Sequence, residues 1–349
     1  MRSKIFSFFY RFTRLLVTNI LYGIQKVLCL PKDLEPAVKL GDAALRSFFV
    51  LKKVVYDFPL PKNCEVEIFD LRFPSPLIGS SFKSDDKILE MWLRMGIGGV
   101  IIKTIMREKR HGNPRPRIQD IKIRNEKGLL NSLGLPGPGI NIFLDQIIKS
   151  SIWSFNRPIG ISVGGTSEQE YITNVDKIQA ALGNQFSSYF FELNISCPNT
   201  TDGQIICDNP SQLDSLLKEI RRNHSKTISI KVSPDVSDSI LADIGKLCSE
   251  YESIIINAGN THYKDRGELG LKENLFAMEG GGLSGPSIFP RTLSMVKIFS
   301  QFRSPIMATG GISTIYHVNL LKESGASLFG MATSLVLDPY CIPRLNEEI

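Results

Sequence analysis

The run Tyr189-Phe190-Phe191-Glu192-Leu193-Asn194-Ile195-Ser196-Cys197-Pro198-Asn199-Thr200 begins as a buried strand and ends as a polar loop. Carboxamides both donate and accept hydrogen bonds, so Asn194 and Asn199 can hold a planar ring that bears imide groups. The thiol of Cys197 between them can take or give a proton. For this segment alone a turn with a buried spectator thiol competes, because free cysteine is among the most buried residue types. What decides the fold is that the same pattern, an apolar run closing on polar residues, recurs along the chain.

Short apolar runs at Leu77–Gly79, Gly99–Lys103, Ile159–Val163, Phe190–Ile195, Ile228–Val232, Ser253–Asn257, Ile306–Thr309 and Leu328–Met331 alternate with helical stretches. Eight strand–helix units of this size predict an α/β protein, a closed (β/α)8 TIM barrel. Val66–Phe73 reads as a hairpin across its floor. A doubly wound open sheet is the alternative, and no G-x-G-x-x-G follows the first strand to favour it. Such barrels do their chemistry at the C-terminal strand ends. Those positions here hold Lys103 and Thr104, Asn194 to Asn199, Lys231, Asn257, Asn260 and Thr261, Gly310 and Gly311, and Ala332 and Thr333. One polar residue at a strand end is ordinary; six such ends together point to a site. Ala308-Thr309-Gly310-Gly311 and Gly330-Met331-Ala332-Thr333 occupy the usual phosphate position of the fold, and Gly281-Gly282-Leu283-Ser284-Gly285 reads as a further glycine-rich loop. Together they suggest a phosphorylated cofactor such as FMN.

Residues 1–60 read as a separate helical arm ahead of a barrel over 61–349. Residues 1–32 carry six basic side chains and no acid, while the rest holds 35 of each sign. The whole net charge of +6 thus sits on the arm. A neutral body lacks the basic stripe of a nucleic-acid surface. Over residues 4–28, Ile5, Phe8, Phe9, Phe12, Leu16, Ile20, Ile24 and Val27 fall on one helical face, with Lys4, Arg11, Arg14 and Lys26 towards the other side. The uncharged run Leu15–Gln25 is too short to span a bilayer, so the helix is expected to lie in the membrane interface through residues 1–30. A second helix is expected over Leu34–Val55. A targeting segment and a plain packed helix pair are the competing readings. The six cysteines have no metal-ligand spacing, so no metal is expected.

Several motifs in order carry a family resemblance. They are Lys103-Thr104, Gly112-Asn113-Pro114-Arg115-Pro116-Arg117, Asn131-Ser132-Leu133-Gly134-Leu135-Pro136, Asn194 to Asn199, Ile230-Lys231-Val232-Ser233-Pro234, Asn260-Thr261, Gly281–Gly285, Gly310-Gly311 and Gly325-Ala326. From about Val66 to Asp338 the chain resembles the dihydroorotate dehydrogenases. The resemblance implies an FMN enzyme that oxidises (S)-dihydroorotate to orotate in pyrimidine biosynthesis. It implies Cys197 as the base, with Lys103 and Lys231 beside the flavin. Asn131, Asn194, Asn199, Asn260 and Thr261 would hold the substrate. Ser80, Ser81, Lys103, Thr104, Ser162, Asn194, Lys231, Gly282, Ser284, Gly285, Gly310, Gly311, Ala332 and Thr333 would hold the cofactor. The polar stretch Pro198 to Pro210 reads as a lid.

The family's pattern is mixed here. Cys197, Lys103 and the Asn131–Pro136 motif resemble its soluble members, which reduce fumarate or NAD. The arm resembles that of the membrane-associated members, which reduce a quinone and usually carry Gly-Phe-Asp-Lys where Ser81-Phe82-Lys83-Ser84 stands here. The base concerns the dihydroorotate half-reaction that both classes share, whereas the arm's apolar face needs a purpose of its own. Quinone is therefore the expected acceptor, at the surface of a bacterial inner or mitochondrial inner membrane. Fumarate or NAD with a cytoplasmic location is the alternative, and a dihydropyrimidine dehydrogenase-like flavin barrel is a rival.

Overall fold

The computed structural model describes residues 1–196 and 206–349. Eight parallel strands close a barrel: β3 (Leu77–Gly79), β4 (Gly99–Ile105), β7 (Ile159–Val163), β8 (Tyr189–Asn194), β9 (Ile228–Val232), β10 (Ile254–Ala258), β13 (Ile306–Thr309) and β14 (Leu328–Met331), with β14 pairing back onto β3. The remaining strands lie at the two ends. Below, β1 (Val66–Ile68) and β2 (Leu71–Phe73) form an antiparallel hairpin. A four-stranded antiparallel sheet has the order β11 (His262–Asp265), β12 (Gly280–Ser284), β6 (Glu126–Asn131), β5 (Ile118–Ile123). The glycine-rich segment expected as a loop is therefore mostly strand. Its missing side chains let neighbours close in: a Cβ on Gly282 would come within 2.0 Å of Thr261 Oγ1, and one on Gly281 within 2.7 Å of the Asn131 carbonyl.

Around the barrel run α4 (Asp86–Arg94), α5 (Ile140–Ile147), α6 (Glu168–Leu182), α7 (Pro210–Asn223), α8 (Asp238–Cys248), α9 (Phe289–Phe299), α10 (Ile315–Glu323), α11 (Thr333–Leu337) and α12 (Cys341–Asn346). Several start on a side-chain cap that satisfies otherwise unpaired N–H groups: Asp85 on α4, Ser167 on α6, Asn209 on α7, Ser237 on α8 and Thr314 on α10.

Strand alternation sorts the barrel residues into two sets. Outward-facing Leu77, Val100, Ile102, Ile159, Ile161, Phe191, Ile228, Ile230 and Ile256 join the core beneath the helices. Inward-facing Ile78, Ile101, Phe190, Ile255, Met307 and Leu328 form a floor with Ile68, Leu71 and Phe73 of the hairpin. Gly160 makes room there, since its Cβ would lie 2.6 Å from the Phe190 ring. Two residues on from that floor the same inward file becomes polar: Ser80, Lys103, Glu192, Asn257, Thr309 and, as a gap, Gly330. The apolar floor thus leaves a polar cup at the C-terminal mouth.

The arm consists of α1 (Arg2–Val27), α2 (Glu35–Ser47), a 3-10 turn at Phe48–Leu51 and α3 (Lys52–Val55). The single helix expected over Leu34–Val55 is thus interrupted. Near the end of α2 the Phe48 N–H is shared between the Ala44 and Arg46 carbonyls, while Ser47 Oγ donates to the Ala44 carbonyl and the Tyr56 hydroxyl to the Leu45 carbonyl, each at 2.7 Å. α1 lies on the barrel by its small polar side. Ser3, Ser7, Thr18 and Gln25 are buried, while Ile5, Phe8, Phe9, Phe12, Leu16, Ile20 and Val27 are exposed. Ser7 Oγ donates to Asp338 at 2.6 Å, and Gln25 exchanges two hydrogen bonds with the backbone of Asp33. The expected grouping of cations needs correction: Arg14 turns to the barrel and pairs with Asp120 at 2.6 Å, leaving Lys4, Arg11 and Lys26 exposed. At 100° per residue Arg14 shares the buried face with Ser7 and Thr18. Among the described residues no helix is long and apolar enough to cross a membrane.

Candidate active site

A cavity of about 210 Å³ opens at the barrel mouth. Ser80, Ser81, Lys103, Thr104, Asn131, Asn194, Lys231, Asn260, Thr261, Gly282, Ser284, Gly285, Gly310, Gly311, Ala332 and Thr333 all line it. Ser162 lies just behind, fully buried, with its hydroxyl 2.9 Å from Thr104 Oγ1. Cys197 and Asn199 lie outside the described residues, as does most of the stretch read as a lid.

The polar side chains are held in two connected groups. In the first, Asn194 Nδ2 donates to Thr104 Oγ1 at 2.9 Å and Ser196 Oγ donates to Asn194 Oδ1 at 3.1 Å. Asn260 Nδ2 donates to that same Ser196 hydroxyl at 2.7 Å, while Asn260 Oδ1 accepts from the Thr261 amide. Two carboxamides from different strand ends are thereby fixed through one hydroxyl. Each can make four hydrogen bonds and uses two of them here among the described residues. Asn131 is placed by the β6–β12 pairing and donates to the Gly282 carbonyl at 3.3 Å. In the second group, Lys231 Nζ donates to Ser81 Oγ at 3.1 Å, and Ser81 donates to Glu192 at 2.6 Å. The other oxygen of Glu192 accepts from Asn257 Nδ2 at 2.7 Å.

Glu192 is a member of the site that the sequence reading missed. It is fully buried inside the barrel. A carboxylate in a run of large apolar residues, two positions along the inward file from Phe190, was the available signal. Ser196 is the second omission, a linker between Asn194 and Asn260.

Lys103 donates to the Pro136 carbonyl at 2.7 Å. Burial, reinforced by the nearby cations Arg117 and Lys83 and opposed by Glu35, lowers its pKa to about 8. It is a cation in a low-dielectric wall, close enough to neutrality to respond to pH.

FMN fits these residues. Ser80 Oγ and Thr309 Oγ1 are buried hydroxyls with no partner among the described residues, and both lie against Gly330. A Cβ on Gly330 would sit 2.0 Å from Thr309 Oγ1 and 2.9 Å from Ser80 Oγ. Buried polar atoms left unpaired cost free energy, and a polar ligand in the cup would relieve it. At the strand ends where a cofactor phosphate would lie, Gly310 and Gly311 take φ values of 135° and 74°, and Thr333 donates to Ser284 at 2.8 Å.

A second, larger cavity of about 460 Å³ lies between the arm and the barrel. Its walls are mostly apolar, including Phe6, Val17, Val38, Leu45, Met91 and Val336. Phe82 lines both cavities and packs on Trp92 with ring centroids 5.1 Å apart. The ion pair of Lys83 with Asp42 is the charged part of the larger cavity's wall nearest Phe82 in sequence.

The family model described as Dihydroorotate dehydrogenase matches residues 63–349. The chain belongs to the dihydroorotate dehydrogenase family. It is 30% identical over 292 residues to a Bacillus cereus protein named dihydroorotate dehydrogenase B (NAD(+)), catalytic subunit, covering 82% of this chain and 90% of that protein. An Enterococcus faecalis protein of the same name is 29% identical over 288 residues, covering 81% of this chain and 89% of the relative. In fold, the chain is similar to the dihydroorotate dehydrogenase of Eimeria tenella solved in complex with ferulenol, with a TM-score of 0.73 at 19% identity, over 89% of this chain and 90% of that one. The structural superposition covers more of this chain than the family match does.

Proposed function

We propose that this chain binds FMN in the mouth cavity, oxidises (S)-dihydroorotate to orotate, and passes the electrons to a quinone that enters the arm cavity from a membrane surface. The observation that carries the acceptor is Phe82: a single ring is part of both the polar cup and the apolar vestibule. An electron donor and a water-insoluble acceptor can each have a site, with one side chain between them.

Asn131, Asn194, Asn199, Asn260 and Thr261 hold the substrate by its carboxylate and ring amides. The Cys197 thiolate takes the C5 proton, for which a reference pKa near 8.5 needs only modest lowering. FMN, when bound, would supply the two-electron acceptor for the hydride that leaves C6 as the C5 proton goes to Cys197, so that C5–C6 becomes the double bond of orotate. Lys231, tied through Ser81 to Glu192, presents a cation where negative charge gathers on the reduced flavin. Lys103 and the Thr104–Ser162 pair hold the ring's other side, and Gly310, Gly311, Ala332 and Thr333 hold the phosphate.

The test fills the vestibule without disturbing the cup. Gly41 lines the larger cavity on α2, and a Cβ there meets nothing within 4 Å. Gly41→Phe should therefore fold at least as well as the parent, since glycine within a helix costs about 1 kcal/mol relative to alanine. Dihydroorotate should still bleach the flavin anaerobically at the parent rate, while reoxidation by a ubiquinone analogue falls by about tenfold or more. Unchanged quinone reoxidation would remove the vestibule from the reaction. A second reading, NAD reached through a partner subunit, is favoured by the names of the Bacillus and Enterococcus relatives. Under it the reduced protein would ignore quinone, filled or not, and reoxidise with NAD only when such a subunit is added.

A further inference from the structure

Lys103 stands at the meeting point of the two cavities' charges. Its backbone N–H donates to the Lys83 carbonyl at 2.9 Å, and its ammonium group points at the Pro136 carbonyl. Two cations flank it. Lys83 follows β3, and Arg117 precedes β5, with its guanidinium donating to the carbonyls of His111 and Asn113 at 2.8 and 2.9 Å. Among the described residues neither cation finds its acid in the barrel. Arg117 is held in a fork by the carboxylate of Glu35, with Nε at 2.9 Å and a terminal nitrogen at 3.1 Å. Lys83 pairs with Asp42. Both acids belong to α2 of the arm. The Arg117–Glu35 pair is nearly buried, with side chains 10% and 14% exposed, so water screens it little. Burial alone would raise the Glu35 pKa, but the bonds to Arg117 outweigh it and hold the carboxyl below the usual range.

We propose that Glu35 and Asp42 are positioning residues for the barrel's chemistry: from the arm, they neutralise the two cations that flank Lys103 and so preserve the charge of that lysine in the active site. The arm is then an electrostatic part of the dihydroorotate site as well as an addition for the acceptor. The other charges around Lys103 do not substitute for these acids. Arg115 is taken by Asp33 at 2.7 Å and reaches Glu35 only at 3.5 Å, Lys39 adds a contact to Glu35 at 3.7 Å, and Glu192 serves Ser81 and Asn257 while Lys231 stands across the same cup. Deleting residues 1–60 would strip Arg117 and Lys83 of their acids, so such a deletion changes both half-reactions together.

The proposal rests on the reading of Lys103 as part of the dihydroorotate site, but its first readout does not. Competitive acetylation of the full-length, flavin-loaded protein with acetic anhydride across pH, read at Lys103 by peptide mass spectrometry, gives the titration midpoint of that amine directly. Glu35→Gln leaves Arg117 uncompensated, which disfavours a second cation. The midpoint should fall by about half a pH unit from its parent value, and Asp42→Asn should move it the same way. Removing acid and cation together, as Glu35→Gln with Arg117→Gln, should bring it back to the parent value or above. That reversal also separates charge from misfolding, which would not be repaired by a second loss. The second readout is the alkaline limb of anaerobic flavin bleaching by dihydroorotate, which should follow the same shifts. A midpoint that stays put in folded Glu35→Gln, or that the double substitution fails to restore, overturns the proposal. A midpoint that shifts and reverses in a protein that dihydroorotate cannot bleach upholds it, and refutes the assigned substrate instead.

Discussion

The barrel and α1 bury different kinds of residue, although Phe6 and Tyr10 of α1 pack on the core and Leu34, Val55 and Tyr56 elsewhere in the arm are buried. In the barrel, Ile78, Ile101, Phe190 and Met307 face inward and the exposed mouth is polar. In α1, Ser3, Ser7, Thr18 and Gln25 face inward, while Phe8 and Phe12 stand 67% and 55% exposed. Apolar burial drives folding at about 25 cal/mol per Å², so the barrel accounts for its own stability. α1 leaves that stabilisation unused in water, and contiguous exposed apolar faces mark interaction sites. The difference teaches that the barrel builds the walls of its own cup but takes two acids, Glu35 and Asp42, from the arm, whereas the outer face of α1 is left apolar, with Lys4, Arg11 and Lys26 exposed.

Two sets of substitutions should separate the regions. Cys197→Ala removes the proposed proton acceptor and should slow anaerobic flavin bleaching by dihydroorotate by about 10²- to 10⁴-fold, the usual worth of a positioned general base. Vesicle binding should be untouched. Slowing of less than tenfold would mean that another group takes the C5 proton. The reciprocal change, Phe8→Ser with Phe12→Ser and Ile20→Ser, removes three apolar side chains from the exposed face. Each is worth about 1.5–3 kcal/mol when fully buried, so partial insertion predicts about a hundredfold loss of cosedimentation with anionic vesicles. Bleaching should remain at the parent rate. If the parent protein does not bind vesicles at all, the arm's face serves another partner and the contrast between the regions loses its explanation.

The barrel was legible because its signals are local and repeated. Each strand is a short β-rich run, and each closes on residues whose type already suggests their use; Ile228–Val232, with Lys231 near its end, is the clearest. Glu192 was hidden because its role depends on parity, that is, on knowing that Phe190 faces inward. Gly280–Ser284 was misread because glycine carries no strand propensity, and its pairing comes from the close approach of Asn131 and Thr261. In the arm, periodicity gave the helix but not the side that meets the barrel. The usual rule would have buried the apolar face, and the contrary packing depends on distant partners such as Asp338 for Ser7 and Asp120 for Arg14. The ties from Glu35 and Asp42 to Arg117 and Lys83 are equally non-local, and no spacing in the chain announces them.

The smallest effect tests how closely the cup is shaped to its cofactor. Gly330 occupies the inward file of β14, and its absent Cβ makes room for the buried hydroxyls of Thr309 and Ser80. A side chain there adds one methyl group in a wall that can yield little, because Thr309 is itself anchored in the adjacent strand β13. Overpacking of this kind costs about 1–3 kcal/mol. Gly330→Ala should therefore lower the thermal midpoint modestly and reduce flavin retained on purification, with added FMN recovering part of both. The recovery is the telling part, since a ligand that binds only the folded state stabilises it in proportion to its occupancy. Lowered stability with full flavin content would show that the gap serves barrel packing and not the ring. Unchanged stability with lost flavin would show the converse, that the space at Gly330 is kept for the cofactor alone.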